Sequence, residues 1–211
     1  MKNAIIWGAS GGIGQAIISK LNDDGWTTIG VARDTTAIAT HANHVFETPF
    51  DDPGRLEQVA YLISQEVDNI NFWCYAAGDI LNAKVSEMDP RDWHRIISAN
   101  LTSAGYAIHY SLPLLSEDAH IIFVGAISER LRLPGLSAYA ASKAGLEAFA
   151  VALSKEERKK RITIVRPGAV ATPLWDKVSL RLPADAAPPG KVAEKILEAY
   201  YLGHKGQLDL A

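Results

Sequence analysis

Short apolar runs alternate along the whole chain with longer segments of helical periodicity. Several of the short runs are apolar at successive rather than alternate positions, which is typical of strands covered on both faces. The alternation predicts an α/β fold, a Rossmann-type doubly wound domain whose mostly parallel sheet of six or seven strands has helices on both faces. The predicted strands are NAIIW (3–7), TTIGVA (27–32), HVFE (44–47), INFWCYAA (70–77), HIIFVG (120–125), RITIVR (161–166) and the less apolar GQLDL (206–210).

Boundary residues support this division into elements. The pairs Asp52-Pro53 and Asp89-Pro90 each place a capping carboxylate before a proline at the first helical position. Gly25 is a stop signal for the first helix. Residues 167–190 are rich in proline, glycine and alanine, which predicts a long loop with a partly helical middle. We expect this loop to cover the substrate.

Length and composition limit the possible functions. A chain of 211 residues predicts one domain over residues 1–211, and a formal net charge of -3 gives no reason to expect nucleic acid or an anionic membrane as partner. No apolar segment reaches the roughly 18 residues of a membrane span, so a cytoplasmic location is the default expectation. One cysteine and scattered histidines predict no metal site.

A glycine-rich segment, WGASGGIG (7–14), follows the first predicted strand and opens the first helix. The spacing of Gly8, Gly12 and Gly14 allows a sharp turn and a close approach of the backbone to a phosphate. Exposed N–H groups at the helix start would then face a pyrophosphate. A purely structural tight turn is the alternative, but the position between strand and helix favours a dinucleotide site.

The end of the second predicted strand bears on the choice of dinucleotide. An acidic residue there binds the 2′-hydroxyl of NAD, whereas an arginine pairs with the 2′-phosphate of NADP. Ala32 ends the strand and Arg33 follows it, so NADP(H) is favoured over NAD(H). Two alternatives stay open, because Asp34 could bind a ribose hydroxyl or neutralise Arg33, and the pair could also be a solvated turn.

A tyrosine and a lysine stand four positions apart in AYAASKAG (138–145), among small residues. On a helix Tyr139 and Lys143 would share one face. A phenol with a pKa of about 10 is a poor base at neutral pH. A cation about 4 Å away stabilises the phenolate by about 4 kcal/mol at an effective dielectric of about 20, which predicts a lowered pKa for Tyr139 and a role in proton transfer.

Taken together, the motifs resemble those of the short-chain dehydrogenase/reductase family over nearly the whole chain. They are the glycine turn, YAAG (75–78), SANLTS around Asn100, YAASK (139–143) and RPGAVATPL (166–174). The resemblance implies Tyr139, Lys143 and Asn100 as catalytic residues. It also implies a cofactor site that includes these three residues and Gly8, Ser10, Gly12, Ile13, Gly14, Arg33, Asp51, Ala76, Ala77, Gly78, Pro167, Gly168, Val170 and Thr172.

Two positions depart from the family pattern. A catalytic serine usually precedes the tyrosine by thirteen positions, and that position here is Ala126, with Ser128 two residues further on. Ser128 could replace the missing hydroxyl only if the loop is remodelled, and a plain loop serine is the alternative. At TPFDD (48–52) the register leaves either Pro49 or Asp51 beside the adenine.

The sequence therefore predicts an NADP(H)-dependent oxidoreductase that interconverts a small carbonyl compound and its alcohol. Two other functions stay open: a catalytically weak NADP(H)-binding sensor or scaffold, motivated by Ala126, and an isomerase that uses bound cofactor transiently. The resemblance also implies a homodimer or homotetramer built on the helices of residues 91–115 and 137–157.

Overall fold

A seven-stranded parallel sheet forms the centre of the computed structural model, which describes residues 2–210. The strand order is β3-β2-β1-β4-β5-β6-β7. Since β2 and β4 flank β1, the chain reverses its direction of winding between β1 and β4, and ligands of such sheets bind at this reversal, beyond the carboxyl ends of the strands. The strands are β1 (Asn3–Trp7), β2 (Thr27–Ala32), β3 (His44–Glu47), β4 (Ile70–Tyr75), β5 (Leu115–Val124), β6 (Arg161–Pro167) and β7 (Gly206–Leu210).

Helices cover both faces of the sheet. Within residues 2–210, short 3₁₀ turns also occur at Leu112–Leu114, Ser128–Leu131 and Pro173–Lys177, and a π-helical segment, Ser98–Thr102, joins two of the helices. The α-helices are α1 (Gly12–Asp23), α2 (Pro53–Glu66), α3 (Pro90–Ile97), α4 (Ser103–Ser111), α5 (Ser137–Glu156) and α6 (Pro189–Tyr201).

The predicted boundaries agree with the structure at most elements. The Asp52 carboxylate accepts a hydrogen bond from the Arg55 N–H, and that of Asp89 accepts from the Arg91 N–H, so both predicted caps are confirmed. Gly25 follows α1 with a φ of 74°. Three strands differ from their predicted bounds: β4 ends at Tyr75, β6 extends one residue further to Pro167, and β5 covers Leu115–Val124. The early start of β5 is unexpected because Ser116, Glu117 and Asp118 are polar. Pairing of Leu115 with Ile70 extends β5 beyond its apolar run.

Alternating strand residues supply two hydrophobic layers. Ile5 and Trp7 of β1 pack with α2, α4 and α5 on one face, whereas Ala4 and Ile6 pack with α1 and α6 on the other. Burial of one such large apolar side chain contributes about 1.5–3 kcal/mol. Because both faces are covered, the strands need apolar residues at successive positions, which is the pattern in the sequence.

No helix within residues 2–210 has the length and apolar character needed to cross a membrane.

Candidate active site

A cleft of about 1360 Å³ opens at the carboxyl ends of the central strands. Its walls come from the segments that follow β1, β2, β4, β5 and β6. Every predicted site residue lines this cleft except Gly14. Sequence motifs separated by up to 164 positions therefore meet in one place, because parallel strands end at one edge of the sheet.

The glycine turn lies at the bottom of the cleft. Gly8 has a φ of +82°, and a Cβ built on it would lie 2.3 Å from the Ala77 backbone nitrogen. A Cβ on Gly14 would lie 2.4 Å from the Gly8 oxygen. Gly8 thus lets β1 and the segment after β4 approach each other, while Gly14 packs the start of α1 beneath the turn.

The start of α1 fits a phosphate group. Its N-cap residue, Gly11, has no side chain that could cap the helix, and the first turn of the helix carries no acidic residue. Ser10, Gly11, Gly12 and Ile13 all line the cleft. The Gly11 N–H donates to the Gly8 carbonyl oxygen at 3.1 Å, but the N–H groups of Gly12 and Ile13 and the positive end of the helix dipole are available to an anion. Gly11 was not among the predicted site residues, although it stands between two of them.

Arg33 lines the same end of the cleft, directly after β2. Its neighbour Asp34 accepts a hydrogen bond of 2.9 Å from the Thr36 N–H and lies outside the cleft lining. Hydrogen bonds from Thr36 lower the pKa of this carboxyl, which caps its own turn. No ion pair joins Arg33 to an acidic residue within residues 2–210.

Asn100 lies in the π-helical segment between α3 and α4 and is completely buried. Its Nδ2 donates to the Asp79 carbonyl oxygen at 2.7 Å and to the Ile96 carbonyl oxygen at 2.8 Å. Its Oδ1 is buried without a hydrogen-bond partner. An unpaired buried acceptor is costly, so an acceptor held in this way points to a donor bound in the cleft.

Tyr139 and Lys143 lie one turn apart on α5, both nearly buried. The Lys143 Nζ donates to the Val124 carbonyl oxygen at 3.0 Å and lies 5.8 Å from the centre of the Tyr139 ring. A Cβ on Gly78 would lie 3.7 Å from Lys143 Nζ and 2.8 Å from Asn100 Oδ1. The ammonium group and the unpaired amide oxygen therefore face the same small space.

The pKa of each of these two groups is governed by burial. Burial raises the pKa of Tyr139 to about 12. It lowers the pKa of Lys143 to about 8, against an opposing effect of the Glu147 carboxylate. The expectation that Lys143 alone lowers the pKa of Tyr139 is wrong for this geometry, because the ammonium group bonds to a carbonyl oxygen and desolvation is the stronger effect. Tyr139 is a neutral phenol at pH 7.

The position expected to hold a serine lies in the cleft without a hydroxyl group. Ala126 lines the cleft, whereas Ser128 is buried at the start of a 3₁₀ turn and is outside the lining. The loop after β5 is thus not remodelled to bring Ser128 to the site. Of the two candidates in the 48–52 segment, Asp51 lines the cleft and Pro49 does not.

The long loop after β6 forms the opposite wall. Pro167, Gly168, Val170 and Thr172 line the cleft, and the Thr172 methyl group would lie 2.9 Å from a Cβ on Gly12. The middle of the loop is the 3₁₀ turn Pro173–Lys177, in agreement with the predicted partly helical middle. This loop therefore packs directly on the glycine turn.

One buried carboxylate that no sequence motif indicated lies beside the cleft, behind its lining residues. Asp79 follows the YAAG segment and its side chain is 3% exposed. Its Oδ1 accepts from Lys177 Nζ at 2.7 Å, and its Oδ2 accepts from Arg95. The pKa of Asp79 is lowered overall, since Lys177 and Arg95 outweigh its desolvation. Lys177 lies 98 positions away in the chain, so no local pattern could have indicated this link.

A parallel sheet with this strand order, a glycine turn after its first strand and a cleft at the reversal of winding define a dinucleotide-binding protein of the Rossmann type.

Comparisons with known proteins define the family. A sequence model described as short chain dehydrogenase matches residues 2–182. An uncharacterised oxidoreductase of Staphylococcus saprophyticus is 31% identical over 187 residues, which cover 82% of this chain and 80% of that protein. One from Staphylococcus aureus is 25% identical over 211 residues, with coverage of 94% and 90%. The chain therefore belongs to the short-chain dehydrogenase family and is an NAD(P)-dependent dehydrogenase/reductase.

Solved structures share the same fold. Ligand-free aldohexose dehydrogenase of Thermoplasma acidophilum superimposes with a TM-score of 0.87 at 24% identity, covering 99% of this chain and 92% of that one. A short-chain dehydrogenase from Streptomyces avermitilis gives a TM-score of 0.89 at 23% identity, with coverage of 100% and 88%. At these identities the likeness concerns the fold.

Proposed function

We propose that the protein is an NADP(H)-dependent reductase of small carbonyl compounds, with Tyr139 as the proton donor. The observation that carries this proposal is the meeting of Tyr139, Lys143 and the unpaired Asn100 Oδ1 in one cleft beside a glycine turn. The bound cofactor supplies the hydride, so the protein has to position the groups and stabilise the charge that develops on the substrate oxygen.

The protonation state of Tyr139 suits carbonyl reduction. A carbonyl oxygen that accepts a hydride at carbon becomes an alkoxide, which is a far stronger base than a phenolate. A neutral phenol in the cleft therefore donates its proton downhill in the reductive direction. With its pKa raised to about 12 by burial, Tyr139 is fully protonated at neutral pH and ready for that step. Alcohol oxidation needs the phenolate, so we expect it to be favoured only at high pH.

Lys143 and Asn100 would restore the proton. The Lys143 Nζ lies beside the phenol on one side and beside the Asn100 amide oxygen on the other. A water molecule that donates to Asn100 Oδ1 and accepts from the ammonium group would satisfy the unpaired oxygen. Lys143 would also hold the ribose hydroxyls next to the nicotinamide, together with the segment that contains Pro167 and Gly168.

The preference for NADP(H) rests on Arg33. It lines the cleft after β2, and Asp34 neither faces the cleft nor pairs with it. Arg33→Ala should weaken NADPH binding about 10- to 100-fold, the effect of losing a hydrogen bond to a charged group, and leave NADH nearly unchanged. Titration of cofactor fluorescence measures the dissociation constants of NADPH and of NADH. Arg55→Ala, at an exposed position on α2 outside the cleft, is the control. Equal losses for the two cofactors would rule out recognition of a 2′-phosphate.

Ala126 leaves the developing oxyanion with one donor fewer than the family pattern. Ala126→Ser should raise kcat for an aldehyde about 10-fold or more, because removing one such donor elsewhere costs about 100- to 1000-fold. The gain should vanish in the Tyr139→Phe background, where no proton donor remains. Steady-state kinetics of the single and double variants test this expectation. An unchanged kcat in Ala126→Ser would mean that another group already binds that oxygen.

A catalytically weak sensor or scaffold is the second candidate, favoured by the methyl group of Ala126 at the hydroxyl position. One experiment distinguishes the two candidate functions: NADPH oxidation is measured with a panel of aldehydes, ketones, quinones and pterins. Reductase function predicts oxidation of NADPH with at least one of them. Tight NADPH binding without turnover on any of them would favour the sensor.

We also propose a homodimer or homotetramer on the helices of residues 91–115 and 137–157. Large apolar side chains exposed on α3, α4 and α5 support this assembly, namely Trp93, Tyr106 and Val151. Light scattering during gel filtration would measure the mass, and a monomer would exclude it. The cytoplasmic location stays a prediction.

A further inference from the structure

Cationic side chains are concentrated in the cleft. Among the described residues that line it, lysines and arginines outnumber carboxylates by eight to three, although the whole chain has a formal net charge of -3. Such a lining attracts anions. Part of the excess suits the cofactor phosphates, since Arg33, Lys191 and Lys195 lie around the end of the cleft that holds the glycine turn.

Most cationic side chains in the half of the cleft that contains Tyr139 already have hydrogen-bond or ion-pair partners. Arg91 binds the Asp89 carboxylate, and Arg95 and Lys177 both bind that of Asp79. Lys143 donates to a backbone carbonyl oxygen. Arg130 differs, because its guanidinium makes no ion pair and no side-chain hydrogen bond within residues 2–210.

The surroundings of Arg130 leave it free for a ligand. Its backbone N–H donates to the Ile127 carbonyl oxygen at 2.9 Å, which fixes the residue in the 3₁₀ turn after β5. Its Nη1 would lie 3.8 Å from a Cβ on Gly168, so this exposed side chain reaches the segment after β6 that lines the cleft. The neighbouring acid, Asp209, accepts hydrogen bonds from Arg166 at both of its oxygens, at 2.8 and 3.0 Å. Arg130 acts on Asp209 only as a nearby charge that helps to lower its pKa, without a hydrogen bond or ion pair.

Arg130 is too far from Arg33 to share its ligand group. The two residues follow β5 and β2, which are three strand positions apart in the sheet. At about 4.8 Å per strand this separation is about 14 Å. Arg130 lies instead next to the loop that carries Ala126 and on the same side as Tyr139.

Besides these cations, large apolar side chains line that half of the cleft. Leu131, Leu136, Leu174 and Trp175 line it, and Trp175 is fixed by a hydrogen bond from its Nε1 to the Val170 carbonyl oxygen. A guanidinium group at the end of an apolar wall complements a molecule with an apolar body and one anionic end. A planar guanidinium binds a carboxylate through two parallel hydrogen bonds.

We propose that the substrate of this enzyme is a carbonyl compound that bears a carboxylate, and that Arg130 binds this carboxylate. The inference rests on the proposed reductase function. Arg130 is then a specificity-determining residue, which selects the substrate without taking part in hydride or proton transfer.

Three pairs of probe substrates test the proposal: 4-oxobutanoate, 6-oxohexanoate and 4-formylbenzoate, each compared with its methyl ester. The different spacers allow for different distances between Arg130 and the reacting carbonyl carbon. Wild-type enzyme with NADPH should show a kcat/KM at least about 10-fold higher for one acid than for its ester. Arg130→Gln should lower kcat/KM for that acid about 10- to 100-fold and leave the ester unchanged. Arg130→Lys should recover part of the loss, since lysine keeps the charge but not the two-pronged geometry.

Arg132→Gln is the matched control, because Arg132 is exposed two positions away and lies outside the cleft lining. It should leave both substrates unaffected. Esters reduced as well as acids by the wild-type enzyme, or a preference for acids that survives in Arg130→Gln, would overturn this inference and leave the reductase function intact. Turnover of neither series with NADPH or NADH would contradict both.

Discussion

Tyr139→Phe will lower kcat for carbonyl reduction by about 100- to 10,000-fold, the usual contribution of a positioned general acid. Phenylalanine keeps the ring that packs with Ile96 and Ala138 but removes the only group on it that can donate a proton. NADPH affinity should change little, because the glycine turn and Arg33 are untouched. Stopped-flow measurement of NADPH oxidation gives the rate of carbonyl reduction, and a fluorescence titration gives the affinity for NADPH.

Tyr61→Phe is the control for this substitution, because Tyr61 is an exposed tyrosine on α2, remote from the cleft. It should behave as wild type. A Tyr139→Phe enzyme with undiminished kcat would remove Tyr139 from its role. An equal loss of cofactor affinity and kcat would instead indicate that the phenol serves mainly to hold the cofactor.

Gly8→Ala will destabilise the fold and weaken cofactor binding together. An alanine at a φ of +82° is strained, and its Cβ would lie 2.3 Å from the Ala77 nitrogen and 2.5 Å from the Ala77 Cα. Backbone strain of about 1–2 kcal/mol and overpacking of about 1–3 kcal/mol add to a loss of roughly 3 kcal/mol in the free energy of unfolding. Urea denaturation measures this loss.

Gly105→Ala is the matched comparison for Gly8→Ala. Gly105 lies inside α4, and a Cβ on it would meet nothing within 4 Å. Alanine should therefore stabilise the helix there by about 0.5–1 kcal/mol. If the two substitutions changed the free energy of unfolding alike, the close contact between the glycine turn and the segment after β4 would not matter for stability.

The sequence predicted the fold well because its physical signals are local. Short apolar runs indicate most of the strands, and Asp-Pro pairs mark the starts of α2 and α3. The ends of strands were less predictable, since the start of β5 depends on pairing between Leu115 and Ile70 rather than on its own polar residues. The extent of the domain over residues 1–211 stays a prediction, although one sheet takes up all seven strands.

The site was predicted as far as its motifs are contiguous. The glycine turn and the Tyr139–Lys143 pair were readable because their geometry follows from helix and turn periodicity. The link between Asp79 and Lys177 and the free guanidinium of Arg130 were not, because each depends on the folding of a long loop. Burial also reversed the expected pKa of Tyr139, since the depth of a side chain cannot be obtained from its spacing to a lysine.

Transfer of deuterium from labelled NADPH to the product alcohol is the most direct test of hydride transfer in this cleft. Wild-type enzyme would be incubated with an aldehyde and with both 4R- and 4S-deuterated NADPH in separate reactions, and the alcohol analysed by mass spectrometry. We expect one deuterium at the carbinol carbon with one of the two cofactors, and an amount of labelled alcohol at least about 100-fold smaller from Tyr139→Phe over the same time. Alcohol without deuterium from both cofactors, or no alcohol from any aldehyde of the panel, would contradict hydride transfer in this cleft.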